Sequence, residues 1–134
     1  MRRRYYCPEC NAALNPNVKV ILMARRNNRS GLILLSPQPG NYQSIVSEDF
    51  PLEFGDLIEF HCPVCGVSLT SDENDNLATL VYRFSPGREG TVFFARRFGE
   101  HATYLVFNNE VQTFGENALP NSHMNFFGSG QLED

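Results

Sequence analysis

Two stretches of this sequence hold all four of its cysteines, and these are the residues best placed to do chemistry: "YYCPECNAAL" (5–14) and "FHCPVCGVSL" (60–69). A Cys-x-x-Cys turn can set two thiolates on one ion, each about 2.3 Å from it, and two such turns complete the tetrahedron that zinc prefers. Proline after the first cysteine of each pair fixes its own φ and biases that cysteine toward an extended backbone, as at a strand's end. The residue after the second cysteine needs a left-handed conformation so that backbone N–H groups can point at sulfur. Gly66 supplies this in the second stretch, and Asn11 is among the few non-glycine types that can supply it in the first. Cys7, Cys10, Cys62 and Cys65 together form a closed all-cysteine set, the kind that structural zinc uses; a catalytic zinc keeps one position for water. The competing reading is a pair of redox dithiols or four buried thiols. A redox Cys-x-x-Cys opens a helix in a βαβ unit, and no such unit is visible.

Aligning Cys7 with Cys62 gives Cys-Pro-x-Cys-x-x-x-Leu twice, ending at Leu14 and Leu69, with an aromatic residue two positions before each pair (Tyr5, Phe60). Each copy runs into a polar stretch and then a predicted hairpin, so the chain reads as a repeated unit of strand, knuckle and hairpin. The two knuckles with their flanking strands resemble those of zinc-ribbon proteins, and also those of rubredoxin, whose iron site uses a similar pair of turns. The resemblance implies an all-β fold of zinc-ribbon-like hairpins, from two internally similar units clamped by one four-cysteine metal site. It implies zinc as the cofactor, with iron and a rubredoxin-like electron carrier as the alternative.

The elements that must position these ligands are almost all strands. "VKVILMA" (18–24), "GLILLS" (31–36), "DLIEFH" (56–61), "LATLVYRF" (77–84), "GTVFFAR" (90–96) and "HATYLVF" (101–107) are rich in β-branched and aromatic residues, and a short "EVQTF" (110–114) follows. "NNRSG" and "SPGREG" read as hairpin turns, and Asn-Asn in "VFNNEVQ" tolerates the positive φ of a tight reversal. A short helix near "SIVSEDF" (44–50) is the one helical candidate. Residues 36 to 56, with three prolines and two glycines, read as an irregular connection wrapping one edge, because the shared metal would pin its ends together. The expected organisation is a single β domain over 1–114, with unit one over 1–55 and unit two over 56–114, followed by a tail at 115–134.

At 134 residues the chain has room for a core, and 42% apolar content with 16 aromatic residues argues against global disorder. The basic start lacks a following apolar run, and no segment approaches a membrane span, so a cytoplasmic protein without membrane contact is expected. Net charge is -4, distributed unevenly. Residues 1–35 carry seven bases against Glu9, residues 36–80 eight acids and no base, and residues 81–101 four arginines against two acids. Arg25–Arg26 and Arg96–Arg97 each follow an alanine at the end of a predicted strand. They could form two basic edges that bind a partner or, with Phe93, Phe94, Phe98 and Tyr104, stack single-stranded nucleic acid. The simpler reading makes Phe93 or Phe94 core and lets the arginines protect edge strands from aggregation. Met124, Phe126 and Phe127 form an apolar cluster in the tail that packs back on the domain or docks on a partner.

No Ser/His/Asp grouping, phosphate-cradling loop or paired catalytic carboxylates emerge. His61 beside Cys62 reads as a neighbour of the metal ligands, and His101 beside Glu100 as a strand residue whose neighbour points the other way. The sequence therefore suggests a non-enzymatic accessory or adaptor protein with a structural zinc. Its expected partner is a protein, with a homo-oligomer and a nucleic-acid-binding ribbon as alternatives.

Overall fold

The computed structural model describes residues 4–16, 18–85, 87–108 and 110–118. Among them the chain forms nine strands and no helix: β1 (Arg4–Tyr6), β2 (Val20–Arg26), β3 (Arg29–Leu35), β4 (Ser44–Val46), β5 (Glu59–His61), β6 (Leu77–Ser85), β7 (Arg88–Ala95), β8 (Thr103–Phe107) and β9 (Glu110–Phe114). All pairings are antiparallel. They build a five-stranded sheet in the order β1-β6-β7-β8-β9 and a four-stranded sheet in the order β4-β3-β2-β5. The all-β expectation therefore holds.

Local chemistry explains most boundaries. Asn27 and Asn28 both take positive φ (53° and 65°), so β2 and β3 close directly from Arg26↔Arg29 in a two-residue turn. Asn108 likewise sits at φ 52° between β8 and β9. The short helix expected near 44–50 is not formed: Ile45 and Val46 pair with Leu34 and Ile33 as an edge strand. The segment then turns at Ser47–Phe50, where the Phe50 amide bonds the Ser47 carbonyl at 3.0 Å. β-branched residues at an open sheet edge gain ladder bonds there that a single helical turn could not offset. The connection 36–56 thus wraps an edge, and it also sends Phe50 into the core, against Gly31. The predicted strand 56–61 is divided between the two sheets. Asp56, Leu57 and Ile58 bond the backbone of Arg96–Phe98 at the end of β7, and only Glu59–His61 join β2.

Strand pairing crosses between the two halves of the chain. β1, which precedes the first knuckle, pairs with β6 of the second hairpin, placing Tyr5 opposite Tyr82. β5, which precedes the second knuckle, pairs with β2 of the first hairpin, placing Phe60 opposite Ala24. Inward residues of both sheets (Leu22, Ala24, Ile33 and Phe60 from one; Leu80, Tyr82, Val92 and Leu105 from the other) share a single buried cluster. Alternation along β7 and β8 sends Phe93 and Tyr104 to the opposite face of the five-stranded sheet. There they are buried in a second cluster with Leu77, Ala102 and Ala118.

Candidate metal centre

Each cysteine pair sits in a backbone turn, and the two turns carry matching hydrogen bonds. In the first, the Cys7 amide bonds the Ala12 carbonyl (3.0 Å), the Asn11 amide the Cys7 carbonyl (2.9 Å), and the Leu14 amide the Tyr5 carbonyl (2.8 Å). In the second, Cys62 bonds Val67 (3.0 Å), Gly66 bonds Cys62 (2.9 Å), and Leu69 bonds Phe60 (2.8 Å) in the same roles. Asn11 at φ 64° and Gly66 at φ 80° take the left-handed conformation expected of them. Leu14 and Leu69, the last residues of the shared pattern, are both fully buried and anchor the turns in the core.

Backbone N–H groups point at sulfur in both turns. The Glu9 and Cys10 amides lie 3.4 and 3.5 Å from Cys7 Sγ, and the Val64 and Cys65 amides 3.3 and 3.4 Å from Cys62 Sγ. All four sulfurs fall within 4.8 Å of one another. Contacts cross between the knuckles, with Cys7 Sγ 3.8 Å from Cys65 Sγ and Cys10 Sγ 3.7 Å from Cys62 Sγ. Sulfurs placed tetrahedrally about 2.3 Å from a central ion stand about 3.8 Å apart, so these residues fit such an ion. Cys7 and Cys62 are buried while Cys10 and Cys65 face solvent. Burial pushes the Cys7 thiol up to about 12. At Cys62 burial acts the same way, but the Cys65 and Val64 amides and the adjacent Cys7 and Cys10 outweigh it and hold the thiol down at about 7. A bound dication would supply the positive charge that lets all four ionise together. With four sulfur ligands the set can hold an ion in a closed shell, and among the described residues no fifth His, Cys, Asp or Glu joins the group.

His61 is a brace for the second knuckle. Its Nδ1 lies 3.0 Å from the Gly66 carbonyl and its Nε2 3.0 Å from Glu59 Oε1. That hydrogen bond from His61 is the main reason the Glu59 carboxyl is held below its usual range. The first knuckle is braced by a residue that spacing could not identify, Arg83 on β6. Its Nη2 donates to Asn11 Oδ1 (3.0 Å), its Nε donates to Glu89 (3.0 Å), and its guanidinium stacks over Tyr6 at 4.1 Å. Arg83 reaches the knuckle because β1 pairs with β6, a pairing between distant parts of the sequence.

The arginine pairs, expected at two edges, converge on one side. Arg25, Arg26 and Arg96 line a single surface concavity with Glu59. Arg26 pairs with Asp56 at 3.0 Å, Arg96 Nε donates to the Ile58 carbonyl at 2.8 Å and its Nη1 to the Asp75 carbonyl, and Arg97 Nη1 donates to the Gly55 carbonyl at 2.9 Å. Of the aromatic residues considered for stacking, Phe93 and Tyr104 are buried, and Phe94 packs edge-on against Phe60 at 5.3 Å. Phe98 packs, partly buried, against the main core. His101 stacks on Tyr42, with ring centroids 4.4 Å apart and planes 7° from parallel. Met124, Phe126 and Phe127 lie outside the described residues. Ahead of them, the turn 115–118 is tied to the domain by the Asn117 amide on the His101 carbonyl (2.8 Å) and by the Tyr104 hydroxyl on the Ala118 carbonyl (3.1 Å).

Sequence reasoning also passed over the outer face of the four-stranded sheet. Alternation along β2 and β3 turns Ile21, Met23, Leu32 and Leu34 away from the core, and Ile45 on β4 continues the row opposite Leu34. Leu32 and Ile45 remain about half exposed, at 49% and 54%. The signal was present in "VILMA" and "GLILL", whose unbroken apolar runs suit a strand covered on both faces. No helix among the described residues is long and apolar enough to cross a membrane. Comparison of the chain with known protein families, with curated proteins and with solved structures finds no significant match in any of the three.

Proposed function

We propose that this chain is a non-enzymatic adaptor built from two related halves and clamped by one structural zinc, and that it works by binding a protein partner. The single observation that carries the reading is the four-sulfur cluster, with cross-knuckle separations of 3.7 and 3.8 Å that suit tetrahedral coordination without a vacant position. The correspondence of hydrogen bonds at Cys7–Leu14 and Cys62–Leu69, and the reciprocal pairing of β1 with β6 and β5 with β2, support descent of the halves from one repeated unit. A partner reading is favoured by the outward apolar row Ile21, Met23, Leu32, Leu34 and Ile45, since contiguous apolar surface marks interaction sites. Nucleic acid is the weaker reading: in the concavity Arg26 pairs with Asp56, Arg96 is held by two backbone carbonyls, and Glu59 shares the lining.

Metal analysis of protein purified from a medium holding both zinc and iron tests the first half of the proposal. The expected result is a colourless protein with one zinc per chain; a red protein that bleaches with dithionite would replace zinc by iron. Affinity purification from the native cell, run in parallel on Leu32→Lys/Ile45→Lys, tests the second half. The partner should be lost in the variant at unchanged zinc content, and a partner retained at full yield would remove the sheet face from the proposal.

A further inference from the structure

Between the two sheets the core does not close. A cavity of about 330 Å³ lies there, walled by Ile33 and Leu35 of β3, Phe60 of β5, Leu80 of β6, and Val92 and Phe94 of β7. Domain interiors hold few voids larger than a water molecule, and pockets for small ligands begin near this size. The walls are apolar, but the mouth is not. It is formed by the connection 36–44 on one side and by residues 96–101 on the other.

At that mouth Tyr42 is held in place. Its hydroxyl bonds Thr103 Oγ1 at 2.8 Å and donates to the Phe114 carbonyl at 3.1 Å, and its ring lies flat on His101. His101 Nδ1 stands 3.6 Å from Glu116, while its Nε2 has no partner among the described residues. Arg96 and Arg97 line the same cavity, and their bonds all go to backbone carbonyls. The arginine ion pairs of the described residues are Arg26–Asp56 and Arg83–Glu89, so the charges of Arg96 and Arg97 are not neutralised by a bonded carboxylate. Glu100 is the one acidic residue on the cavity wall. Arg97, a permanent cation whose guanidinium bonds the Gly55 carbonyl and has donors to spare, is therefore the charge that this apolar slot has available among its lining residues.

We propose that this cavity binds a small organic anion with an apolar body, a medium-chain carboxylate such as octanoate. Its chain lies between the sheets, and its carboxylate is held at the rim by Arg97 and the free nitrogen of His101. Arginine meets a carboxylate through parallel charge-assisted hydrogen bonds, and the surrounding apolar wall removes the water that would compete for them. This goes beyond the adaptor reading and is independent of it, because the cavity shares no lining residue with the apolar outer face of the four-stranded sheet.

The test is isothermal titration of the zinc-loaded full chain with octanoate and, separately, with 1-octanol. Saturable one-to-one binding of octanoate is expected, with octanol about tenfold weaker. Arg97→Gln should lower octanoate affinity about tenfold and leave octanol unchanged, whereas Arg29→Gln, exposed at the start of β3 and outside the cavity, should leave both within twofold. Val92→Phe fills the slot and should abolish binding of both. Should that variant fail to fold, Leu35→Phe, placed nearer the mouth, serves the same purpose. No saturable binding at millimolar octanoate, full affinity in a folded slot-filling variant, or equal affinity in Arg97→Gln would each overturn the proposal. So would octanoate binding that arises only after Phe126 and Phe127 are both replaced by Ser, since the cavity would then be the seat of the chain's own C-terminal segment.

Discussion

Stripping the metal should cost this protein a large part of its stability, and the size of the loss can be worked from chain topology. Cys10 and Cys62 enclose residues 11 to 61, a segment of 51 residues. An ion that joins the two knuckles closes that loop in the unfolded chain as a covalent cross-link would. The chain-entropy relation for a loop of this length gives about 4 kcal/mol at 25 °C. Where unfolding releases the ion, the loss is instead the free energy of binding, which for structural zinc is larger, so the loop figure is a lower bound. Domains of this size have about 5–15 kcal/mol in total, and each kcal/mol shifts the melting temperature by about 3–5 °C. Chelation should therefore lower Tm by at least ~12 °C, or leave no cooperative transition at all. The assay is far-UV circular dichroism melting of zinc-loaded and chelated protein, with metal content and free thiols measured on the same samples. A metal-free, fully reduced sample that melts within about 3 °C of the loaded one would refute the structural role, because loop closure alone exceeds that shift.

Two further outcomes follow from side-chain burial and from backbone conformation. Burial, which outweighs the hydrogen bond from Thr103, raises the Tyr42 hydroxyl above its ordinary value. A group whose folded pKa is raised contributes stability in full below its unfolded value of ~10 and loses it as pH climbs through the folded value. Tyr42→Phe should thus cost about 1–2 kcal/mol at pH 8, through the bonds to Thr103 and the Phe114 carbonyl, and the gap to the parent should narrow above pH 10 in urea titrations. Glycine positions separate backbone strain from collision. Gly66 has φ 80° with no atom within 4 Å of an added Cβ, whereas Gly115 has φ 98° and an added Cβ would lie 2.2 Å from the His101 carbonyl oxygen. Gly66→Ala should cost about 1–2 kcal/mol and Gly115→Ala at least twice that, by the same urea titration.

The four-cysteine cluster was legible because its chemistry is local. Cys-Pro-x-Cys fixes a turn within four residues, and Asn11 and Gly66 announce the backbone conformation that follows it. Strands β6 to β9 were legible for a similar reason, since β-branched runs and Asn or Gly turns are written where they act. The pairing of β1 with β6 and of β5 with β2 was not legible, because antiparallel partners 34 or more residues apart leave no mark in either segment. Arg83 as a brace and the convergence of Arg25, Arg26 and Arg96 follow from that pairing and were hidden with it. Division of 56–61 between two sheets was equally out of reach: "DLIEFH" has strand chemistry throughout, and only the position of Arg96–Phe98 decides which residues go where. The cavity depends on how far apart the sheets settle, a property of the whole core.

The crossed pairing also sets a schedule for the chain as it is made. When Cys7 and Cys10 have been synthesised, β1 still lacks its neighbour β6, and the thiols lack their counterparts. Cys65 follows Cys10 by 55 residues, and β6 begins 12 residues after Cys65. At about 5–20 residues per second, two thiols wait roughly 3–11 s for the other pair. During that interval the nascent chain offers a two-sulfur site open to oxidation or to a borrowed ligand. Neither half can finish its sheet or its ligand shell alone, so cutting the gene at residue 55 should yield two fragments that fold only when mixed, and only with metal present.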